Sequence, residues 1–177
     1  MKILSKIYTK ANGPLTLVSL VIFGLFMALV LPYVAGLTEQ FGDGPDTMLQ
    51  FNLCPYYNAR EDYGIEGRNL YITLRWTFDI IWPLVYTFFY VMTIGYIGKK
   101  VNDKLGAKLL FVPLLAIVFD LLENTFATIF MASYPNDIHW AVHLLIISST
   151  AKWIFVGLSF VVILYLVIKW VVKLIAK

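Results

Sequence analysis

Charged residues are scarce in this chain. They make up 14% of its 177 residues, against about 25% in an average soluble domain, and hydrophobic residues make up 60%. The shortage of charge, together with long uncharged runs, predicts an integral membrane protein. The formal net charge of +3 does not indicate a nucleic-acid partner, because the lysines cluster at the ends of the apolar runs.

Cysteine and the common catalytic signatures are also scarce. The single cysteine, Cys54, excludes an internal disulfide and a cysteine metal cluster. The sequence has no P-loop, no dinucleotide fingerprint, no HExxH pair and no Ser-His-Asp constellation. His139 and His143 share one helical face, but no third ligand is spaced with them. We therefore predict neither a metal site nor a cofactor.

Four apolar runs are each long enough to cross a bilayer, which takes about 20 helical residues. They cover about residues 15–36, 70–98, 107–132 and 139–172. The sequence therefore predicts an all-α fold, a four-transmembrane-helix bundle that forms a single integral membrane domain over residues 1–177. Structureless loops as long as the 37–69 segment are uncommon, so we expect it to be a partly helical extracytoplasmic cap.

Lysine placement predicts how the chain is oriented. Three groups of lysines fall on one side of a four-span arrangement: Lys2, Lys6 and Lys10; Lys99, Lys100, Lys104 and Lys108; Lys169, Lys173 and Lys177. The positive-inside rule therefore predicts a multi-pass protein of the inner (plasma) membrane with both termini in the cytoplasm. The first run is longer than the core of a signal peptide, so we expect it to remain as a span.

Each of the last three spans carries one polar stripe at helical spacing. The stripes consist of Arg75, Asp79, Trp82, Tyr86 and Tyr90; of Pro113, Ala116, Asp120, Glu123, Asn124 and Ala127; and of Ser148, Ser149, Lys152, Phe155 and Ser159. The ionisable residues on them lie between the outer half of the bilayer and its middle. Because a charge that faces lipid is costly, we expect the three stripes to face one another.

Lys152 is the expected counter-ion of Asp120 or Glu123, because a lysine alone in hydrocarbon would lose its charge. At least one of the remaining carboxyls is then protonated or paired with Arg68 or Arg75, and we expect Arg75 near the interface, where its side chain can extend toward water. The candidate ligand-binding residues are Arg68, Arg75, Asp79, Tyr86, Asp120, Glu123, Asn124 and Lys152, with Asp120 and Glu123 as candidate acid–base groups. A purely structural network that fixes helix register is the alternative.

Several short motifs accompany these residues. They are G-x-x-G-R-x-x-Y at Gly64, Gly67, Arg68 and Tyr71; Asp79 followed by Pro83 and Tyr86; D-x-x-E-N at Asp120, Glu123 and Asn124; and the pair Lys152 and Trp153. Over about the last two-thirds of the chain, this pattern resembles a widespread set of small bacterial four-span membrane proteins. The resemblance implies a fold and not a reaction. The architecture is also similar to the sterol isomerase and sigma-2 receptor family, whose four spans enclose acidic residues and an aromatic cavity, although their motifs are not matched.

Three functions fit the polar stripes. The first is binding of a membrane lipid, or of a lipophilic small molecule with a polar or cationic head, in a cavity whose aromatic side chains include Trp82, Tyr86, Tyr90, Trp153 and Phe155. The second is proton- or ion-coupled transport, which four spans can perform only as a homo-oligomer or with a partner. The third is a non-catalytic subunit or scaffold of a larger membrane complex.

Overall fold

The computed structural model describes residues 2–102 and 105–176, so the predicted orientation lysines Lys104 and Lys177 lie outside the described residues. Throughout these ranges the regular secondary structure is helical. Four spans are long and apolar enough to cross a membrane, and each contains one of the predicted runs: Gly13–Phe41, Gly64–Lys100, Gly106–Ala132 and His139–Ile175, named spans 1 to 4. The predicted all-α four-helix bundle is confirmed, and it is compatible with a multi-pass membrane protein.

Nine α-helices are present in the described part of the chain. In order, they are α1 Lys2–Lys10, α2 Gly13–Leu25, α3 Leu31–Thr38, α4 Cys54–Asp62, α5 Gly64–Trp76, α6 Phe78–Lys100, α7 Gly106–Leu109, α8 Phe111–Ala132 and α9 His139–Ile175. Helices α2 and α3 belong to span 1, α5 and α6 to span 2, and α7 and α8 to span 3, and α9 is span 4.

Span 1 begins and bends where its sequence requires. The side chain of Asn12 accepts a hydrogen bond from the Leu15 amide at 2.9 Å, which caps α2. A π-helical turn, Phe26–Val30, joins α2 to α3. It ends at Val30, two residues before Pro32, whose ring does not fit a regular helical turn.

The N-terminal helix α1 packs beside the end of α6, an element that the sequence prediction did not include. A Cβ atom at Gly95 would lie 2.6 Å from the Ala11 side chain, so only glycine allows this approach. Lys99 Nζ donates to the Thr9 carbonyl at 3.1 Å and to the Ala11 carbonyl, and Lys173 Nζ donates to the Lys100 carbonyl at 2.8 Å. These contacts place α1, the end of α6 and the end of α9 together, at what we call the lysine end of the bundle.

The opposite end of the bundle is covered by residues 37–69, which we call the cap. The cap contains α4 and two short 3-10 turns, Glu39–Phe41 and Pro45–Thr47, so the prediction that it is partly helical is confirmed. Tyr56 and Tyr63 of the cap form a buried cluster with Tyr71 of α5 and with side chains of α8 and α9, among them Phe130, Met131 and Val142.

Span 2 lies at the centre of the bundle and span 1 at its edge. In the most apolar 18-residue window of each span, 56% of the span 2 residues are buried, compared with 6% for span 1. Helices α8 and α9 pack against each other along much of their length. The space between span 1 and this inner group of helices contains the site described next.

Candidate functional site

The three polar stripes face the interior, as predicted. The span 3 stripe is buried throughout: Pro113, Ala116, Asp120, Glu123, Asn124 and Ala127. On span 4, Ser148, Ser149, Lys152 and Ser159 are buried, and on span 2 so are Asp79, Tyr86 and Tyr90. The helical spacing therefore correctly identified which face of each helix is covered by protein.

Ion pairs connect the three stripes. Lys152 Nζ lies 2.7 Å from Glu123 Oε1, which confirms the expected counter-ion and selects Glu123 over Asp120. Arg75 Nη2 lies 2.6 Å from Asp79 Oδ2, and Arg75 Nη1 lies 3.7 Å from Glu123 Oε1. Arg75 therefore pairs with carboxyls, as one of the two predicted alternatives had it, and its side chain does not extend toward water. Its side chain is only 13% exposed, because carboxylates inside the bundle surround it.

A cap residue, Asp46, completes this arrangement. Its Oδ2 lies 3.1 Å from Arg75 Nη1, and its Oδ1 accepts a hydrogen bond from the Tyr71 hydroxyl at 2.7 Å. The sequence prediction treated Asp46 only as one of six acids in the cap. We call the six charged residues now described the cavity cluster: Asp46, Arg75, Asp79, Asp120, Glu123 and Lys152.

Two cap side chains have shifted acidities. Burial raises the pKa of Asp46, but the positive charges of Arg75 and Lys152 outweigh this effect, and the pKa of the carboxyl lies below its ordinary value of 3.8. Burial, reinforced by the negative charge of Asp46, raises the pKa of Tyr63 to about 12. Asp46 is therefore a carboxylate at neutral pH, and Tyr63 is a neutral phenol.

Asn124 has a structural role that its position in the polar stripe did not reveal. Pro83 lies inside α6 and has no amide hydrogen, so it cannot bond the carbonyl four residues earlier, which is that of Asp79. The Asn124 side-chain amide donates to this same carbonyl at 3.0 Å. The buried backbone group left unpaired by the proline is thus satisfied from span 3.

Asp120 differs from the other acids of the cavity cluster. Its Oδ2 accepts a hydrogen bond from the Tyr86 hydroxyl at 2.7 Å, which brings two predicted site residues together. Within residues 2–102 and 105–176, no lysine or arginine nitrogen lies within 4.0 Å of its carboxylate, whereas Asp46, Asp79 and Glu123 all have such a partner. Asp120 is only 4% exposed.

The cavity cluster forms the polar part of a cavity of about 450 Å³. Five of its members line this space: Asp46, Arg75, Asp79, Asp120 and Lys152. One face of span 1 supplies much of the apolar lining, with Phe23, Met27, Leu31, Val34 and Ala35. The sequence did not indicate this face, because span 1 is apolar on all sides.

Aromatic side chains form much of the remaining lining. Four of the five predicted aromatic residues are among them, namely Trp82, Tyr86, Tyr90 and Trp153, together with Phe160. Phe155 instead stacks on Phe119, with ring centroids 5.5 Å apart. The cavity therefore combines a charged end with aromatic and aliphatic walls, as in sites that bind ligands with a polar head and an apolar body.

The predicted site residue Arg68 lies apart from the cavity cluster. Its Nη1 donates to the Arg60 carbonyl at 2.9 Å, and its guanidinium lies 3.9 Å from the Tyr134 ring centroid. Arg60 in turn donates to Ser133 Oγ and to the Asn136 carbonyl, both at 3.0 Å. We call this second group the cap cluster: Tyr57, Arg60, Arg68, Phe130, Ser133, Tyr134, Asn136 and Asp137.

The cap cluster and its neighbours also account for the G-x-x-G-R-x-x-Y motif. Gly64 has a φ of +58°, and a Cβ at Gly67 would lie 2.8 Å from the Phe41 ring, so both positions favour glycine. In the same motif, Arg68 donates a hydrogen bond to the Arg60 carbonyl, and the Tyr71 hydroxyl donates one to Asp46 Oδ1. His139 Nδ1 lies 2.8 Å from the Tyr57 hydroxyl.

Metal ligands are not grouped in the described part of the chain. Across residues 2–102 and 105–176, no set of three His, Cys, Asp or Glu side chains could hold a metal ion. His143 Nδ1 lies 2.7 Å from the His139 carbonyl of its own helix.

The chain matches no family model, no curated protein and no solved structure. Its resemblance to small bacterial four-span proteins therefore stays a prediction that rests on the motifs quoted above.

Proposed function

We propose that this protein binds a membrane lipid or a lipophilic small molecule with a polar head in the cavity between span 1 and spans 2 and 4. The polar head lies against Asp46, Arg75, Asp79, Asp120 and Lys152. The apolar body lies along span 1 and the aromatic side chains of α6 and α9.

One observation carries this proposal, namely that a single cavity is charged at one end and apolar along its walls. A network that served only to hold helices together would be expected to fill its space with protein. Here five charged side chains of the network line about 450 Å³ that protein does not fill, which is within the range of roughly 300–1,000 Å³ typical of small-molecule sites.

The location of span 1 is consistent with a ligand that arrives from the bilayer. Phe23 stacks on Phe89 with ring centroids 4.5 Å apart, and Phe26 stacks on Trp82 at 6.1 Å, so the first half of span 1 is held on α6. Its second half supplies Leu31, Val34 and Ala35 to the cavity wall. A lipophilic molecule would then reach the site from the bilayer past span 1, which lies at the edge of the bundle.

We further propose that the protein lies in the inner membrane of a bacterial cell with its lysine end in the cytoplasm. Lysines at the ends of α1, α6 and α9 lie together there, and the acid-rich cap lies at the other end. This distribution follows the positive-inside rule. The charged end of the cavity would then lie near the extracytoplasmic surface.

The experiment that tests the proposed function is mass spectrometry of small molecules and lipids that remain bound after gentle purification. We compare wild type with Glu123→Gln/Lys152→Met, which removes both partners of one ion pair and leaves no lone charge. Lys108→Met is the matched control, because Lys108 is exposed and lies on α7 at the lysine end. We expect a specific molecule in wild type and in the control, and its loss from the folded double variant.

The proposal is wrong if all three proteins carry the same bulk lipid. If the double variant also fails to assemble with partner chains, the non-catalytic subunit of a larger complex becomes the better account. In that case the cavity cluster serves helix packing.

A further inference from the structure

We propose that the ligand's polar head is a cation, an ammonium group, and that Asp120 is the carboxylate that pairs with it. This inference rests on the proposed function, because it names the chemical class of molecule that enters the same cavity. Three observations on the cavity and its lining carry it.

The first observation is the imbalance of charge. The cluster contains four carboxyls, Asp46, Asp79, Asp120 and Glu123, and two cations, Arg75 and Lys152, which leaves an excess of two carboxyls. An anionic head, such as a phosphate, would have to displace carboxylates that are already paired with both cations. A cationic head would lower the excess of negative charge.

The second observation is which carboxyl lacks a cation. Arg75 is shared by Asp46, Asp79 and Glu123, and Lys152 is 2.7 Å from Glu123. Asp120 has only the Tyr86 hydroxyl as a described hydrogen-bond donor. Because buried charges in proteins are normally paired, a ligand cation is the missing partner that this site is built to accept.

The third observation is that Asp120 lines the cavity together with electron-rich rings. Trp82, Tyr86 and Tyr90 follow one another along α6, with successive ring centroids 5.7 and 5.9 Å apart, and all three line the same space. The faces of such rings attract cations, most strongly where water is excluded.

Two probes with the same alkyl chain separate charge from hydrophobicity. Dodecylammonium and dodecanol both donate hydrogen bonds, but only the first is charged. We measure equilibrium binding of each radiolabelled probe to the full chain in phospholipid nanodiscs, for wild type, Asp120→Asn and Asp62→Asn. Asp62 is an exposed acid at the end of cap helix α4 and serves as the matched control.

We expect Asp120→Asn to weaken dodecylammonium binding by at least about tenfold, as loss of one buried charge pair does, and to change dodecanol binding by less than about twofold. Asp62→Asn should change neither. Asp120→Glu, which keeps the charge, should retain most of the preference for the cation. Unchanged dodecanol binding also shows that the variant is folded.

The other outcomes separate the two proposals. If both probes bind wild type and Asp120→Asn weakens them equally or not at all, the cationic head is wrong while the cavity remains a lipophile site. If neither probe binds wild type, both the cationic head and the proposed function are overturned.

Discussion

The cap cluster and the cavity cluster are both built around a buried cation, but their surroundings differ. Arg60 of the cap cluster lies 4.8 Å from the Phe130 ring centroid and 5.0 Å from that of Tyr57, and it bonds to Ser133, Asn136 and Asp137. Its partners come from the turn after α8, so it fastens α4 to the bundle. Lys152 of the cavity cluster has one carboxylate partner and lines a cavity.

The difference shows that burial of a charge does not by itself indicate a functional site. Arg60 and Lys152 are both nearly inaccessible, at 3% and 8% exposure. What distinguishes them is that Lys152 lines the cavity, whereas Arg60 is enclosed by protein side chains and does not line it. By this criterion the cap cluster is structural and the cavity cluster is suited to a ligand.

The largest effect on stability should come from Arg60→Met. The substitution leaves the Asn136 carbonyl without its donor and the Phe130 carbonyl with only the Ser133 hydroxyl, and it removes the contacts with two aromatic rings. We expect the free energy of unfolding to fall by about 3 kcal/mol. Thermal denaturation in nanodiscs measures this, and the protein that remains folded should retain its ligand.

Asp137→Asn is the control for that prediction. Asp137 pairs with Arg60 at 2.8 Å but is 60% exposed, so its loss should cost less than about 1 kcal/mol. Equal destabilisation by the two substitutions would show that the ion pair, and not the set of backbone and ring contacts, holds the cap.

The next largest effect should come from Asn124→Leu. This change leaves the Asp79 carbonyl, which Pro83 has already deprived of its helical partner, without a donor, and we expect a loss of about 1–2 kcal/mol. Pro83→Ala restores an amide hydrogen at position 83. The double variant Pro83→Ala/Asn124→Leu should therefore recover part of the loss in a thermal denaturation cycle, and strictly additive effects would refute the link between the two residues.

A smaller effect on stability is expected for Glu123→Gln/Lys152→Met, although it should abolish ligand retention. Replacing both partners of a buried ion pair is often nearly neutral, because the cost of removing two charges from water disappears with them. We expect the free energy of unfolding to stay within about 1 kcal/mol of wild type. A loss of unfolding free energy as large as that of Arg60→Met would show that the cavity cluster, like the cap cluster, serves to stabilise the fold.

The smallest effect on stability should be the pH dependence of the unfolding free energy that Asp46 contributes. Arg75 and Lys152 hold its folded pKa below 3.8, so its charged form stabilises the folded protein above that pH and the contribution is lost as the pH falls through the folded value. Between pH 6 and pH 3, wild type should lose more thermal stability than Asp46→Asn. Parallel pH profiles of the two proteins would show that Asp46 does not anchor the cap to Arg75.

Periodicity and charge placement were sufficient to predict the spans, the inward stripes and the pairing of Lys152 with either Asp120 or Glu123, of which the structure selects Glu123. A charge on an apolar helix restricts which face can contact lipid, so the facing of spans 2 to 4 follows from spacing alone. Span 1 carries no such mark, and its cavity face could not be found. Asp46 could not be found either, because the cap has no periodic pattern that shows which of its acids faces the bundle.

The sequence also left open whether Arg68 or Arg75 pairs with the carboxyls, since sequence spacing gives depth but not the location of loop residues. Arg75 does so, and its side chain does not extend toward water. The folded cap brings Asp46 to Arg75 and the Arg60 carbonyl to Arg68. The cap therefore determines which of the two arginines belongs to the cavity.

The most direct test of the central claim is ligand retention by Leu31→Trp compared with Leu29→Trp. Leu31 lines the cavity, whereas Leu29, two residues earlier on span 1, is 64% exposed at the outer surface of the bundle. Mass spectrometry of the purified variants in nanodiscs should show that Leu31→Trp has lost the specific molecule and that Leu29→Trp carries it as wild type does. Equal retention by both variants would contradict the claim that the ligand occupies this cavity.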